Sequence, residues 1–252
     1  MKLLHLTDLH LTGNPSGQVR GVVTLKSFRA CLQAARQRHP DIAALILTGD
    51  LVQDEASGYA LLKAVLDEIG LPALCLPGNH DVAEAFNAAL PNHVMHPTGM
   101  SLGVDWQVLP LDSTLTNEER GRLGAERLAE LGAQIQATPQ PHLLLALHHP
   151  PVHLGSAWID ALGLEDGADL LELARQSGRV RGILWGHAHQ AFDCVADGMN
   201  LMGTPSTCFQ FAPAIDEFAI DPRGPGYRIL ELQAAGRLDT RVDWIPPCWE
   251  PA

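Results

Sequence analysis

Ala43-Ala44-Leu45-Ile46-Leu47-Thr48-Gly49-Asp50 is a short apolar run that stops abruptly at a glycine and a carboxylate. Periodicity alone cannot separate such a run from a buried helix segment, but its brevity and the glycine that follows favour a buried strand. Two further runs read the same way: residues 3–6 before Thr7-Asp8, and residues 73–76 before Pro77-Gly78-Asn79-His80. Between them, Leu25, Phe28, Leu32 and Ala35 share one helical face, as do Tyr59, Leu62, Leu66 and Ile69. Pro40 and Gly70-Leu71-Pro72 stop those helices. Strand, helix, strand, helix, strand is the order of parallel βαβ units, whose sheets need both faces covered. In such sheets functional loops gather at the carboxyl ends of the strands. Asp8, Asp50 and Asn79 all fall there.

The pattern continues with strands at residues 108–111 and 143–147, helices at 123–135 and 165–176, and a strand at 180–185 that ends in Gly186-His187-Ala188-His189. Short strands near 192–195, 199–202, 227–232 and 241–245, separated by Gly, Pro and Asp, suggest antiparallel hairpins. Without repeats or linker-like stretches, residues 1–252 read as a single α/β domain, with 190–252 as its β-rich carboxyl-terminal portion. Residues 209–226, with three prolines and little periodicity, read as a structured loop placed to lie over the site.

Composition narrows the class. Apolar residues at 46% and charged residues at 18% are globular values. A formal charge of -12 argues against non-specific grip on nucleic-acid backbones, which needs a Lys/Arg surface. An anionic substrate would then need local positive charge, and bound cations could supply it. Cys31, Cys75, Cys194, Cys208 and Cys248 lack paired spacing and read as reduced thiols. No apolar run approaches a membrane span, and His5, Thr7 and Asp8 interrupt any signal-peptide core. The expectation is a cytoplasmic monomer or homodimer with a small-molecule substrate, without nucleic-acid or membrane partners.

Five strand ends carry the chemistry: Asp8-Leu9-His10, Gly49-Asp50, Gly78-Asn79-His80-Asp81, His148-His149 and Gly186-His187-Ala188-His189. Mixed carboxylate, amide and imidazole donors suit divalent Mn, Fe, Co or Zn, whereas the absence of Cys ligands argues against a structural zinc. If the backbone is strand-like, residues i and i+2 face one side, so Asp8 with His10, and His187 with His189, would converge on one point. The glycines allow sharp turns and close approach. Each fragment alone is weak, since D-x-H recurs by chance and G-D is an ordinary turn. Their order, each at the end of an apolar run, is what carries weight.

This ordered set resembles the calcineurin-like metallophosphoesterase superfamily, whose pattern is D-x-H, G-D, G-N-H-[DE], H and G-H-x-H, matched here from Asp8 to His189. The resemblance implies a four-layer αββα sandwich and a binuclear centre. Asp8, His10, Asp50 and His189 would bind the first metal; Asp50, Asn79, His148 and His187 would bind the second, with Asp50 bridging. His148 rather than His149 is the ligand when the first His of His148-His149-Pro150 is matched to the family's block. Two cations roughly 3.5–4 Å apart can share a hydroxide for in-line attack on phosphorus. His80 would stand beside the substrate with Asn79 and protonate the leaving alkoxide, Asp81 would orient His80, and His149 would contact phosphate. His93, His96 and His153 are in loops that could also face the site. His5 and His39 read as structural, and His142 as a strand-edge residue. Trp158, Trp185 and Phe211 read as core, with Phe211 able to stack on a base.

Within the superfamily, Gly49-Asp50-Leu51-Val52-Gln53-Asp54 lacks the Arg of the protein phosphatases and the Tyr of the purple acid phosphatases. Gly203-Thr204-Pro205-Ser206-Thr207-Cys208-Phe209-Gln210-Phe211 and Pro225-Gly226-Tyr227-Arg228 resemble the bacterial class III 3′,5′-cyclic nucleotide phosphodiesterases, as does nearly the whole chain in length and order. That implies hydrolysis of cyclic AMP to 5′-AMP. The alternatives are a broader phosphodiesterase, including glycerophosphodiesters, a phosphomonoesterase or pyrophosphatase using the same centre, and a non-catalytic scaffold. A scaffold would be expected to lack some ligands, and none is missing.

Overall fold

The computed structural model describes residues 1–93 and 98–247; His96 and Cys248 lie outside the described residues. The chain runs β1 (Lys2–Leu6), β2 (Gln18–Val19), β3 (Val22–Val23), α1 (Thr24–Arg38), β4 (Ile42–Thr48), α2 (Gly58–Ile69), β5 (Ala73–Leu76), α3 (Ala83–Ala89), β6 (Met100–Leu102) and β7 (Trp106–Pro110). It continues through α4 (Gly124–Ala137), β8 (His142–Ala146), α5 (Ala157–Asp160), α6 (Gly167–Ser177), β9 (Val180–Trp185), β10 (Phe192–Ala196), β11 (Met199–Gly203), β12 (Gln210–Phe211), β13 (Ile220–Asp221), β14 (Gly226–Leu232) and β15 (Leu238–Trp244).

Two mixed sheets are packed together with helices outside. One has the order β15-β14-β1-β4-β5 and the other β10-β11-β9-β8-β7-β6. Their inner faces meet through Leu3, Ile46, Leu74 and Leu230 on one side and Val108, Leu144, Leu184 and Met202 on the other. The outer face of the first sheet packs on α1, α2 and α3 through Phe28, Leu32, Leu62, Leu66 and Phe86. The outer face of the second packs on α4 and α6 through Leu131, Ile135, Leu170 and Ala174. This is the expected αββα layering. It explains why the central strands are mostly apolar: both of their faces are covered.

The central strands β1, β4 and β5 are parallel, as are β7, β8 and β9, so the carboxyl ends of both sets deliver loops. The tail does form antiparallel hairpins, β10 with β11 and β14 with β15, but each hairpin extends a different sheet. A buried relay ties the sheets together: Arg228 Nε donates to Thr204 Oγ1 at 3.2 Å, which is 2.6 Å from His5 Nδ1, while His5 Nε2 is 2.8 Å from Thr48 Oγ1. Among the described residues, no helix is long and apolar enough to cross a membrane.

Candidate metal centre and substrate pocket

Every expected ligand lies just beyond the carboxyl end of a central strand: Asp8 and His10 after β1, Asp50 after β4, Asn79 after β5, His148 after β8, and His187 and His189 after β9. The seam between the two sheets brings them together. The means differ from the extended spacing expected from sequence. Asp8, His10, Asp50, His187 and His189 have φ of 52°, 49°, 50°, 62° and 47°, all in the left-handed region. For non-glycine residues that conformation is strained, and such strain gathers at functional sites. Kinked backbone at the strand ends thus brings Asp8 and His10 into one group, whereas His187 and His189, expected to converge on one point, turn to different groups.

Two donor sets flank Asp50. On one side, His148 Nε2 is 3.4 Å from Asp50 Oδ1 and 3.0 Å from Asn79 Oδ1, and His187 Nδ1 is 3.0 Å from the same Asn79 oxygen and 3.3 Å from His148 Nε2. On the other, His10 Nε2 is 3.0 Å from His189 Nε2 and 3.8 Å from Asp50 Oδ2, and His189 Nε2 is 3.6 Å from Asp8 Oδ1. The far nitrogens decide the tautomers. His148 Nδ1 lies 2.7 Å from the Thr48 carbonyl and His189 Nδ1 2.7 Å from the Phe209 carbonyl. A carbonyl only accepts, so both Nδ1 atoms carry protons and both Nε2 atoms present lone pairs when neutral. His10 Nδ1 donates likewise to Gln53 Oε1 at 2.8 Å. The lone pairs of His10 Nε2 and His189 Nε2 therefore face each other at 3.0 Å, about the spacing of neighbouring donors on one cation with bonds of about 2.1 Å.

Charge points the same way. Asp8 and Asp50 are buried, and among the described residues their ion-pair partners are histidines, with no Lys or Arg. Burial pushes Asp8 up to about 7; His148 opposes this and the neighbouring Asp50 adds to it. Burial also holds His10 down at about 4, and His187 and His189 well below the usual histidine range. Burial works against charging His148 too, but Asp50 outweighs it and lifts His148 to about 9. Buried charges are normally paired or coordinated to metal. The groups Asp8, His10, Asp50, His189 and His148, His149, His187 each have ligand atoms within 4.8 Å of one another. The residues fit two cations.

The centre opens into a pocket of about 500 Å³. His10, Asp50, Asn79, His80, His187 and His189 form its floor; Arg20, Trp158, Phe209, Phe211 and Phe218 are among its walls. His80 Nδ1 is 2.9 Å from Asp54 Oδ1, which leaves Nε2 as the nitrogen for a substrate. Burial resists charging His80, but Asp50 and the hydrogen bond to Asp54 prevail and raise its pKa.

A model of the calcineurin-like phosphoesterase family matches residues 1–191. The chain belongs to this family. It is 36% identical over 96% of its length, and 89% of the relative's, to a Vibrio vulnificus protein named 3′,5′-cyclic adenosine monophosphate phosphodiesterase CpdA. It is 35% identical, with the same coverage, to the Escherichia coli K12 protein of that name. Among solved structures, a dimetal phosphatase from Danio rerio superposes with a TM-score of 0.64 at 15% identity, over 91% of this chain and 94% of the other. That likeness speaks to the fold.

As a calcineurin-like phosphoesterase, the chain departs from its sequence reading at three places. Asp81 does not orient His80. Its carboxylate accepts from the backbone N–H of Leu51, Val52 and Gly78 at 3.1, 3.3 and 2.9 Å and from the Tyr59 hydroxyl at 2.8 Å, so it clamps two strand-end loops together. Asp54 holds His80 instead. His149 does not reach substrate space: it is fully buried, with Nδ1 2.8 Å from Ser113 Oγ and Nε2 3.1 Å from the Glu119 carbonyl. Both nitrogens are engaged, which leaves His148 as the histidine with a lone pair for the centre. Nor is Trp158 core; it lines the pocket, as does Phe211, whose ring stacks on His189 at 4.4 Å.

Sequence reading also missed Gln53, which joins His10 to Asp54 (Nε2 to Oδ2, 2.7 Å), and Arg20 on the β2–β3 hairpin. The loop at 209–226 does border the site, through Phe209, Phe211 and Phe218. His93 pairs loosely with Asp67 at 3.9 Å, and His153 is an exposed residue 3.7 Å from Asp160; neither lines the pocket.

Proposed function

We propose that this chain is a two-metal phosphodiesterase that hydrolyses 3′,5′-cyclic AMP to 5′-AMP. The observation that carries the reading is Asp50, whose two carboxylate oxygens each face a separate set of imidazole nitrogens. Asp8, His10, Asp50 and His189 would hold one cation, and Asp50, Asn79, His148 and His187 the other. Divalent cations at such a site supply Lewis-acid polarisation of the phosphoryl oxygens and activation of the attacking water. The names of the relatives, over nearly the whole chain, support cyclic AMP as the substrate.

The protein's own groups do the rest. Asn79 and His80 stand together at the pocket floor, where both can contact the phosphoryl group. Attack of water on phosphorus breaks the P–O3′ bond, and the departing 3′-alkoxide takes the proton from His80 Nε2. Asp54, on Nδ1, fixes the imidazole and favours its charged form before the transfer. The aromatic walls exclude bulk water, which strengthens each of these interactions. The partner is a small molecule, and the wide, unpaired spacing of the cysteines in the sequence suits a reducing, cytoplasmic setting.

The test is product analysis with metal-stripped protein, with and without Mn²⁺, on cyclic AMP, an aryl phosphodiester and an aryl phosphomonoester. Mn²⁺-dependent formation of 5′-AMP is expected. Diester cleavage without turnover of cyclic AMP would overturn the substrate, and preference for the monoester would overturn the diesterase reading.

A further inference from the structure

Along the pocket, three rings form a continuous wall. Trp158 meets Phe211 edge-on at 4.9 Å and Phe218 edge-on at 5.3 Å, and Phe211 and Phe218 are 5.4 Å apart. This is not core packing. Phe218 is 46% exposed, and Trp158 and Phe211 are half-buried. The wall is joined to the centre because Phe211 stacks on His189 at an interplanar angle of 20°. A flat group lying on it would thus stand beside the metal ligands.

Arg20 closes this recess. Its guanidinium carbon is 4.9 Å from the centroid of Phe218 and 5.5 Å from that of Phe209. Among the described residues it has no carboxylate partner, and it is the one Lys or Arg lining the pocket. Its backbone is unusual as well. Arg20 and Gly21, with φ of 48° and 81°, form the two-residue turn between the paired β2 and β3, a turn that Asn-Gly fills at lower cost. Val22, Cys208 and Phe209, with Val19 and Phe211 against them, pack the hairpin onto the pocket wall and fix the place of Arg20. A strained arginine, held over exposed aromatic rings at the mouth of a phosphoesterase centre, is arranged for a ligand that is planar and rich in π-electrons.

We infer that Trp158, Phe211 and Phe218, covered by Arg20, form the subsite for the heterocyclic base of the substrate and make the enzyme prefer base-bearing over base-free phosphodiesters. The inference rests on the cyclic-nucleotide reading above and deepens it. One face of the base lies on the rings, and the guanidinium exchanges the face of Phe218 for the other. Stacking of this kind tolerates different bases, so discrimination acts first on the presence of a ring.

Two measurements test it. The first is the ratio of kcat/KM for cyclic AMP to that for 3′,5′-cyclic ribose phosphate, which lacks the base, in the Mn²⁺-loaded enzyme. Phe218→Ala and Trp158→Leu are expected to lower this ratio about tenfold, and Arg20→Gln about fivefold. A ratio unchanged in all three overturns the subsite even if cyclic AMP is cleaved well. The second is quenching of tryptophan fluorescence by 5′-AMP but not by ribose 5-phosphate, lost in Trp158→Leu; equal responses to the two ligands overturn the inference. Quenching reads the subsite without turnover, so a base site in an enzyme inactive on cyclic AMP would sink the substrate assignment and leave the subsite standing.

Discussion

Asp54 holds His80 and Gln53 with the two oxygens of one carboxylate: Oδ1 lies 2.9 Å from His80 Nδ1 and Oδ2 2.7 Å from Gln53 Nε2. Since the oxygen of the Gln53 amide accepts from His10 Nδ1, a continuous chain of hydrogen bonds joins a proposed metal ligand to the proposed proton donor. Asp54 is 64% exposed, so its contribution is to orientation more than to stability.

If His80 protonates the leaving group, the loss caused by Asp54→Asn must depend on that group. Cyclic AMP expels an alkoxide, which needs a proton; bis(p-nitrophenyl) phosphate expels a stable phenolate, which does not. The expected outcome is a fall in kcat of about tenfold to a hundredfold for cyclic AMP and about threefold or less for the aryl diester. Steady-state kinetics on both substrates decides it. Equal losses would show that His80 acts by binding alone.

Metal removal should destabilise the protein, because it leaves Asp8 and Asp50 buried with imidazole lone pairs turned toward one another. Each cation present at about a hundred times its dissociation constant adds about 2.7 kcal/mol. Losing two should lower the melting temperature by about 10 °C or more, reversibly on adding Mn²⁺. The neighbouring histidines separate in the same assay. His148→Ala should cut bound metal from two ions per chain to one or fewer, whereas His149→Ala should keep two while losing the hydrogen bonds to Ser113 and Glu119. Elemental analysis of the purified variants would expose the reverse assignment.

Residues 43–50 made the fold readable because a strand covered on both faces is apolar throughout and ends where its loop begins. The donor set was readable for a related reason: each donor sits within four residues of such an end. Asp54 was not, because it is a loop residue that reaches His80, 26 positions away, only after two strand ends have been brought together. Asp81 misled by its place in the motif; it serves the loops that carry the donors, a role visible only once Leu51, Val52 and Gly78 are seen to donate to it. Arg20 lay hidden in a hairpin of two-residue strands, too short to leave a period in the sequence.

His5 makes stability depend on pH. Burial, with the charge of Arg228 adding to it, holds its pKa well below the ordinary 6.5. The unfolded chain therefore takes up a proton that the folded chain refuses, so this stability is complete above about pH 6.5 and is lost as pH falls below it. His5→Asn should flatten the acid limb of stability by up to about 1.4 kcal/mol per pH unit. Urea unfolding at pH 5.0, 6.0 and 7.5 measures this, and parallel curves for the two proteins would count against it.

Gly78 is required by space. A Cβ there would collide with the Asp50 carboxylate and backbone nitrogen, and would stand 2.7 Å from His148 Cε1, a distance that real Cβ atoms essentially never show. Asp50 cannot move away cheaply, because Oδ1 already accepts the His80 N–H at 2.9 Å and its own φ is positive. Nor can Gly78 itself, whose N–H donates to Asp81. Gly78→Ala must therefore push Asp50 out of line with both donor sets at once. Both bound ions should weaken together and activity should fall about a hundredfold or more, since misplacing a reacting group by about 1 Å costs that much. Titration with Mn²⁺ followed by calorimetry distinguishes this from the loss of one site: two sites weakened in parallel support Asp50 as the shared ligand, whereas one intact site would show that its two oxygens serve independent roles.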